Sequence, residues 1–491
     1  MDINSIKPLM AVSVSIIAIM LIFLFRKNRN LREFWTILAS ITKFVIIASM
    51  VPTVLDGNTL SFTLFSIPYQ ISVAFKVDVF GLLFGLIASF LWIMTSLYSI
   101  GYMRSLNEHA QTRYFVCFAI ALSSTIGIAF SANLFTLFIF YEILTLSTYP
   151  LVIHKETHKA KGAGRKYLVY TIGGSVILLF GIVVTYSLTG NLDFVSSGIL
   201  NENSAPSFIL KLLFAIFIAG FGVKSAFMPL HSWLPSAMVA PTPVSALLHA
   251  VAVVKAGIFG VLRVIYFIFG VDLLSSLGIG IYLAYFVSFT IIVASLFAIL
   301  QDNLKKRLAY STISQLSYIA LGAALLNHAG LIGSALHIVY HAFMKITLFF
   351  CAGAIFVVTK KENISELNGV GRRMPITMLM FFIAILGMCG FPPSCGFISK
   401  WFLIMGSVNA GQLPLAFVLL GSALLNVAYF FPIIFRAFFK KPKEKTKFEE
   451  APLSMLIPLI LTAIISLILG IWPDTLHPIF QIVETMAGGV I

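Results

Sequence analysis

Ionisable side chains and helix-breaking prolines occur together in one otherwise apolar stretch, residues 209–263. Among its ionisable residues are Lys224, His231, His249 and Lys255. Its prolines are Pro229, Pro235, Pro241 and Pro243. An ionisable group deep in a bilayer is costly, so it is normally paired, hydrated or functional. A broken helix at that depth is tolerated only where its freed backbone lines a cavity or is covered by protein. Together the two features are typical of an ion pathway.

A second group of titratable residues lies in the apolar stretch LHIVYHAFMKITLFF. His337, His341 and Lys345 are spaced four residues apart, so a helix places all three along one stripe. Histidine changes its charge near neutral pH and therefore suits a proton relay. The alternative is a polar seam between two packed helices.

Glu142 lies in NLFTLFIFYEILTLSTYPL, about 14 Å along a helix counted from Asn133 and thus near the middle of a bilayer. Burial disfavours a charged lysine, whereas a nearby carboxylate favours it. A lysine such as Lys224 or Lys255, with a carboxylate that can approach and withdraw, would therefore load and release a proton. The alternatives are a static ion pair for Glu142 and snorkelling to the interface for the lysines.

Lys400 follows the segment GFPPSCGFIS, where Pro392 and Pro393 break another apolar run. It is either a terminal proton donor or exit site, or a lysine that snorkels to the interface. His249 and His231 are further candidates for the relay, with a hydrogen-bonded core histidine as the alternative for each.

The composition assigns the chain to the helical membrane proteins. Hydrophobic residues make up 59% of the 491 residues and charged residues only 10%, with a mean hydropathy of +1.00, whereas soluble domains carry about 25% charged residues. The alternation typical of transmembrane barrels is absent from the sequence. The net charge of +15 does not indicate nucleic-acid binding, because the basic residues lie in short loops between apolar runs, as the positive-inside rule describes.

No sequence motif for a cofactor or a metal is evident. The chain has no phosphate-binding loop, dinucleotide glycine motif, haem pair or zinc-type ligand spacing, and no nucleophile constellation. Four cysteines lie in apolar segments, where we interpret them as packing residues: Cys117, Cys351, Cys389 and Cys395. We therefore expect no cofactor, no metal ligand and no catalytic residue.

Hydropathy predicts about fourteen membrane-spanning helices. Their approximate cores are 9–25, 34–54, 79–103, 114–131, 133–152, 167–189, 208–230, 243–269, 275–299, 308–326, 330–357, 375–405, 413–436 and 453–472. Basic loops, among them 155–166 and 436–447, alternate with poorly basic loops such as 55–76. This alternation places both termini outside, and the first apolar run is a membrane helix rather than a cleaved signal.

A weak internal repeat recurs at an offset of 170 residues. Asn133-Leu134 returns as Asn303-Leu304, and Val169-Tyr170 returns as Val339-Tyr340. About five helices separate the copies, and an odd number inverts the second copy in the membrane, as in many transporters. The predicted organisation is a three-helix segment, two five-helix repeats and a C-terminal loop with the last helix, at residues 1–113, 114–272, 273–436 and 437–491.

Three stretches resemble the antiporter-like family, which includes complex I proton-channel subunits, membrane-bound hydrogenase subunits and the A-type and D-type subunits of Mrp Na⁺/H⁺ antiporters. They are KSAFMPLHSWLPSAMVAPTPVSALLHAVAVVKAG, NLFTLFIFYEILTLSTYPL and LHIVYHAFMKITLFFCAGAI. The resemblance implies fourteen helices with two inverted five-helix repeats containing broken helices. It assigns functional positions on helices five, seven, eight, eleven and twelve to Glu142, Lys224, Lys255, His337, His341, Lys345 and Lys400.

Two features favour the D-type Mrp branch within this family. The chain ends soon after the last predicted span, without the lateral helix of the largest complex I subunit or the extra domains of the A-type Mrp subunits. It also carries Lys400 where one complex I paralogue has glutamate.

The resemblance implies a transport subunit rather than an enzyme, located in the plasma membrane of the cell. It would move protons through buried Lys, Glu and His residues and water, within a multisubunit Na⁺(cation)/H⁺ antiporter. Its partners would be other membrane subunits, protons, Na⁺ and lipid. The alternatives are a pumping subunit of complex I (NADH-quinone oxidoreductase) or a hydrogenase, and a membrane scaffold with static ion pairs.

Overall fold

The structure is a computed structural model that describes residues 1–68, 71–442, 447–473 and 477–490. Lys443 and Lys445 of the predicted basic loop 436–447 lie outside these residues, so the structure describes the C-terminal segment 437–491 only in part. The described chain is predominantly helical.

Helices follow one another along nearly the whole chain. In the first half they are α1 (Lys7–Leu24), α2 (Arg29–Ala48), α3 (Val51–Leu55), α4 (Val79–Ser105), α5 (Gln111–Ala129), α6 (Leu134–Val152), α7 (His158–Thr189), α8 (Ser207–Ser225), α9 (Trp233–Ser236), α10 (Thr242–Ala246) and α11 (Val253–Arg263). In the second half they are α12 (Val271–Leu277), α13 (Gly280–Leu300), α14 (Leu304–Ala324), α15 (His328–Thr359), α16 (Val370–Arg373), α17 (Pro375–Cys389), α18 (Cys395–Asn409), α19 (Leu413–Phe439), α20 (Leu453–Ile471) and α21 (His477–Val490). The hydropathy analysis does not predict α21.

Twelve helices of the described residues are long and apolar enough to cross a membrane. The other two predicted spans, 308–326 and 375–405, correspond to helices that do not reach that threshold. The first is α14, whose basic start and several serines lower its hydropathy, and the second is divided into α17 and α18. The helical membrane fold is confirmed, while the total of about fourteen spans stays a prediction.

The predicted loop 55–76 instead forms most of a small sheet. Strand β2 (Thr59–Ile67) pairs antiparallel with β3 (Ile71–Val77), and Leu60 lies opposite Val77. Strand β1 (Asp2–Asn4) pairs parallel with β2. Hydropathy does not detect β2 and β3, which are short and lie between α3 and α4.

The helix predicted over 208–230 ends earlier, at Ser225, and Ala226 adopts a left-handed conformation with φ of 56°. Lys224 and His231 therefore do not share one helical face. The predicted break at Gly390-Phe391-Pro392-Pro393 is confirmed, because α17 ends at Cys389 and α18 begins at Cys395. Both breaks leave a buried lysine, Lys224 or Lys400, beside unwound backbone.

The span Thr242–Phe269 is one long helix that contains two π-helical segments, Leu247–Val251 and Val264–Phe269. The first segment carries His249. A π-helical turn is rare and often marks a functional site. It changes the direction of the side chains that follow, so the spacing of His249 and Lys255 in an ideal helix does not apply.

The repeat at an offset of 170 residues has structural counterparts. Helix α7 begins at His158 and ends at Thr189, and α15 begins at His328 and ends at Thr359, so both are 32 residues long. The side chains of Asn133 and Asn303 cap α6 and α14 in the same way. Isolated β-bridges join Asn133 to Asp193 and Asn303 to Asn363. The domain boundaries 1–113, 114–272, 273–436 and 437–491 stay predictions.

Two spans lie in the interior of the helical bundle. Thr242–Phe269 is completely buried, and α15 is buried almost without interruption from Gly330 to Ile355. By contrast, α1, α2 and α7 present many apolar side chains to the surface, as expected for helices that face lipid or other subunits. The histidines and lysines predicted as a relay therefore lie mainly on the two innermost helices.

Candidate ion pathway

Lys224 lies at the end of α8, against α6. Its ammonium donates a hydrogen bond to the carbonyl of Tyr141 at 2.6 Å and lies 3.2 Å from the centre of the Tyr141 ring. A lysine left without hydrogen-bond partners would be costly in a fully buried position. The carbonyl and the ring together therefore stabilise the buried ammonium.

Glu142 follows Tyr141 on α6, and its carboxylate accepts a hydrogen bond from the hydroxyl of Ser175 on α7. It is close enough to Lys224 for electrostatic interaction. Nevertheless, among the described residues no ion pair joins Glu142 to Lys224. The pair predicted from the sequence is therefore near but separated, with each member held by a different partner.

Lys255 lies in the first turn of α11 and donates a hydrogen bond to the carbonyl of Ile338 on α15 at 3.1 Å. Gly257, two residues later, packs against the end of α8, where a Cβ atom would lie 2.5 Å from the amide nitrogen of Ser225. This close approach brings the lysine-bearing segments of α8 and α11 together. The hydrogen bond from Lys255 to Ile338 connects these segments to α15.

His249 and His341 are completely buried, and both ring nitrogens of each lack a hydrogen-bond partner in the described part of the chain. The His249 ring packs at 4.8 Å from the ring of Phe349, and Lys345 is within electrostatic range. Buried polar groups are normally paired with protein or with ordered water. These two imidazoles are therefore suited to exchange protons through water.

His337 is the fully hydrogen-bonded member of the histidine group. Its Nδ1 contacts the hydroxyl of Ser399 at 2.9 Å, and its Nε2 contacts Oε1 of Gln315 at 3.1 Å. The rings of His337 and His341 stack with centroids 5.9 Å apart. His341 lies within electrostatic range of Lys255 as well as Lys345. The stripe predicted on α15 thus faces the neighbouring lysine on α11.

A polar chain begins at Lys345. The lysine donates hydrogen bonds to the hydroxyl of Ser311 at 2.9 Å and to the carbonyl of Leu308 at 3.3 Å, both on α14. The hydroxyl of Tyr429 on α19 lies within hydrogen-bond distance of the same Ser311 hydroxyl, at 3.0 Å. Ser311 therefore connects α15 with α19 through two hydrogen bonds.

The chain continues from Tyr429 to the broken pair α17–α18. The Tyr429 hydroxyl also contacts Oδ1 of Asn426. The Asn426 amide donates to the carbonyl of Met388 at 3.0 Å, and the ammonium of Lys400 donates to that carbonyl at 2.6 Å. Lys345 and Lys400 are thus the two ends of one continuous set of hydrogen bonds.

Several polar residues of this region were not among the candidates predicted from the sequence. They are Tyr141, Ser175, Ser311, Gln315, Ser399, Asn426 and Tyr429. Each is uncharged and unremarkable in an apolar helix, and its importance depends on a partner in another helix. In the sequence, the signal that could have identified these residues is a polar side chain within a predicted span.

His231 lies apart from the other candidates. It is half-buried in the connection after α8, with its ring 6.0 Å from that of Tyr310. Arg263 was likewise not predicted as a candidate. It is fully buried and forms a bidentate ion pair with Asp78 at the start of α4.

The family of the chain follows from comparison with known proteins. A family model described as NADH:quinone oxidoreductase/Mrp antiporter, TM, matches residues 131–425. The chain belongs to this family. It is 32% identical over 402 residues to NADH-quinone oxidoreductase subunit N of Desulforudis audaxviator (strain MP104C), covering 79% of this chain and 80% of that one. It is 27% identical over 474 residues to the D-type Na(+)/H(+) antiporter subunit of Bacillus subtilis (strain 168), covering 96% and 94%.

A solved structure of the membrane-bound sulfane sulfur reductase, an archaeal respiratory membrane complex, contains a chain with the same fold. The TM-score is 0.88 at 24% identity, and the superposition covers 99% of this chain and 100% of that one. Membership of the NADH:quinone oxidoreductase/Mrp antiporter family confirms the resemblance found in the sequence. All eight candidate relay residues, from Glu142 to Lys400, lie within the matched segment. The role of each residue stays a prediction.

Proposed function

We propose that this chain is the proton-translocating subunit of a multisubunit Na⁺(cation)/H⁺ antiporter. Protons would move along Glu142, Lys224, Lys255, His249, His337, His341, Lys345 and Lys400, with water between them. The observation that carries the proposal is the polar route from Lys345 to Lys400 that Ser311, Tyr429, Asn426 and the Met388 carbonyl line. Because the Met388 carbonyl accepts hydrogen bonds from both Asn426 and Lys400, the proton would pass along this route through water. Static ion pairs alone would not require a polar path of this length through an apolar bundle.

The proposed loading step depends on the distance between Glu142 and Lys224. When the carboxylate approaches, it favours the protonated lysine, and when it withdraws, the desolvated ammonium loses that support. The hydrogen bond from Ser175 to Glu142 and that from Lys224 to Tyr141 stabilise the separated arrangement. A switch of this kind needs two alternative sets of partners, and these contacts supply one of them.

The proposed sodium pathway involves other subunits. Na⁺ prefers several oxygen ligands, and Glu142 is the one carboxylate among the candidate relay residues. We therefore assign proton movement to this chain and sodium coordination to an interface with partner subunits. The apolar outer faces of α1 and α7 are available for such partners or for lipid.

The proposed location is the plasma membrane, with the N-terminus outside and the basic loops inside. This orientation rests on the alternation of basic and poorly basic loops. It places the loop 153–157 and the basic residues at the start of α14 on the inner side.

A second candidate is a proton-pumping subunit of complex I or of a membrane-bound hydrogenase. The specific observation that favours it is the 32% identity to a subunit named for NADH-quinone oxidoreductase. In that case the redox chemistry would reside in partner subunits. Neighbouring genes distinguish the two, since small antiporter-subunit genes favour the first proposal and iron–sulfur or nickel proteins favour the second.

The experiment that tests the proposal is sodium-driven proton movement in vesicles containing the assembled complex. We expect Lys224→Ala to abolish the pH change that a Na⁺ gradient drives, without loss of the assembled complex. Lys211→Ala is the matched control, because Lys211 lies on the same helix but is exposed. Transport that persists in an assembled Lys224→Ala complex would instead support a scaffold with static ion pairs.

A further inference from the structure

Two histidines from different loops meet on the side of the molecule that we assign to the inside. His109 lies between α4 and α5, and His154 lies between α6 and α7. Their rings stack with centroids 4.8 Å apart, and the Glu108 carboxylate lies 3.8 Å from Nε2 of His154. One ligand atom from each of these three residues lies within 4.8 Å of the other two. None of them belongs to the proposed relay.

His154 has the features of a ligand rather than of a packing residue. Its side chain is completely buried, yet neither ring nitrogen has a hydrogen-bond partner among the described residues. Buried imidazoles are normally hydrogen-bonded. Imidazole nitrogens are common metal ligands, so a buried ring with two unpaired nitrogens is suited to bind an ion.

Two carboxylates, Glu108 and Glu156, and two basic side chains, Arg113 and Lys155, surround the two histidines. Glu156 lies 3.7 Å from Nε2 of His109, and Arg113 donates a hydrogen bond to the same Glu156 oxygen at 2.6 Å. Arg113 forms an ion pair with Glu156, whereas Glu108 forms no ion pair with lysine or arginine among the described residues.

We propose that Glu108, His109 and His154 form a binding site for a divalent transition-metal ion of the Zn²⁺ class. Two imidazoles and a carboxylate are a common donor set for such ions, with water as a fourth ligand. Ligands about 2.0–2.2 Å from a tetrahedral ion lie roughly 3.3–3.5 Å apart. The three atoms must therefore move closer, and the stacked rings must turn so that their nitrogens converge. The Glu108 and His109 side chains are 14% and 49% exposed, whereas the His154 side chain is buried.

Such an ion would connect the loop after α4 to the loop after α6. Helix α6 carries Glu142, whose movement relative to Lys224 is the proposed loading step. A bound ion would therefore restrain α6 and slow transport. This consequence rests on the proposed function, whereas binding of the ion does not.

The test of the site is direct Zn²⁺ binding to the purified, assembled complex, measured by competition with a chromophoric chelator. We expect the wild-type complex to bind one more equivalent of Zn²⁺ than the His154→Ala complex. We expect Glu108→Gln to lower the Zn²⁺ affinity of that site at least tenfold. His109→Ala should also remove the equivalent, and it keeps the result interpretable if His154→Ala fails to fold, because His109 is half-exposed. His158→Ala is the control, since His158 is exposed and outside the cluster.

Equal Zn²⁺ stoichiometry in wild type and an assembled His109→Ala complex would overturn the site. The second arm measures Na⁺-driven proton movement with and without Zn²⁺. We expect at least fivefold slower transport of the wild type in saturating Zn²⁺ and no slowing of His109→Ala. Binding without slowing would overturn the restraint of α6 but not the site. Absence of transport in the metal-free wild-type complex would contradict the proposed function, independently of the binding result.

Discussion

Lys224 donates a hydrogen bond to the backbone carbonyl of Tyr141 at 2.6 Å and places its ammonium 3.2 Å from the centre of the Tyr141 ring. The residue that follows Tyr141 is the carboxylate expected to be the partner of this lysine. Tyr141 therefore competes with Glu142 for the same ammonium. The balance between these neighbours would decide how readily Lys224 gains and loses its proton.

We expect Tyr141→Leu to slow Na⁺-driven proton movement several-fold, measured in vesicles with a pH-sensitive dye. The substitution removes a desolvated cation–π contact worth about 2 kcal/mol and so shifts Lys224 toward Glu142. Tyr141→Phe is the matched control, because the Tyr141 hydroxyl has no hydrogen-bond partner among the described residues. If the Phe variant is impaired as strongly as the Leu variant, the ring contact is not the cause.

Replacing Tyr429 with phenylalanine should reduce transport at least tenfold in an assembled complex. The ring remains, but the hydroxyl that joins Ser311 to Asn426 is lost, which interrupts the connection from Lys345 to Lys400. Tyr266→Phe removes another buried hydroxyl, one that donates a hydrogen bond to the carbonyl of Ala323, and serves as the control. Wild-type transport in Tyr429→Phe would exclude this hydroxyl from the pathway.

The close packing of α11 against α8 predicts that Gly257→Ala destabilises the protein. A Cβ atom would lie 2.5 Å from the backbone nitrogen of Ser225, and overpacking of this kind costs about 1–3 kcal/mol. The measurement is the thermal unfolding midpoint in detergent. Gly173→Ala on α7 should not lower that midpoint, because a Cβ atom there has no neighbour within 4 Å. Equal midpoints for the two variants would show that α8 and α11 do not touch as described.

The ion pair between Arg263 and Asp78 should contribute far more to stability than a surface pair. Asp78→Asn leaves a fully buried guanidinium without its counter-charge, a change that costs about 3 kcal/mol or more. Glu449→Gln removes the partner of Arg373 in an exposed pair, for which about 0–1 kcal/mol is typical. The measurement is the thermal unfolding midpoint of both variants in detergent. A smaller decrease of the midpoint for Asp78→Asn than for Glu449→Gln would contradict the buried ion pair.

Much of the fold and many candidate residues could be predicted from the chain because the signals are local. Apolar runs, basic loops and prolines follow one another along the sequence, and each has its cost or benefit in a bilayer regardless of distant partners. A charged residue inside an apolar run is also a local signal. For this reason Lys224, Lys345 and Lys400 could be identified as candidates, and the break beside Lys400 could be expected before any contact was known. The end of the helix directly after Lys224, at Ser225, could not, because the apolar run continues to residue 230.

The partners of those residues could not be predicted, because contacts between helices depend on the rotation and depth of each helix in the bundle. Ser311 and Tyr429 are ordinary residues in the sequence, and they matter because α14 and α19 pack side by side. The same holds for Arg263 with Asp78, and for His109 with His154, whose ligand-like spacing exists only in space. Composition and hydropathy thus specify which residues are costly to bury, whereas packing of distant segments specifies which groups compensate that cost.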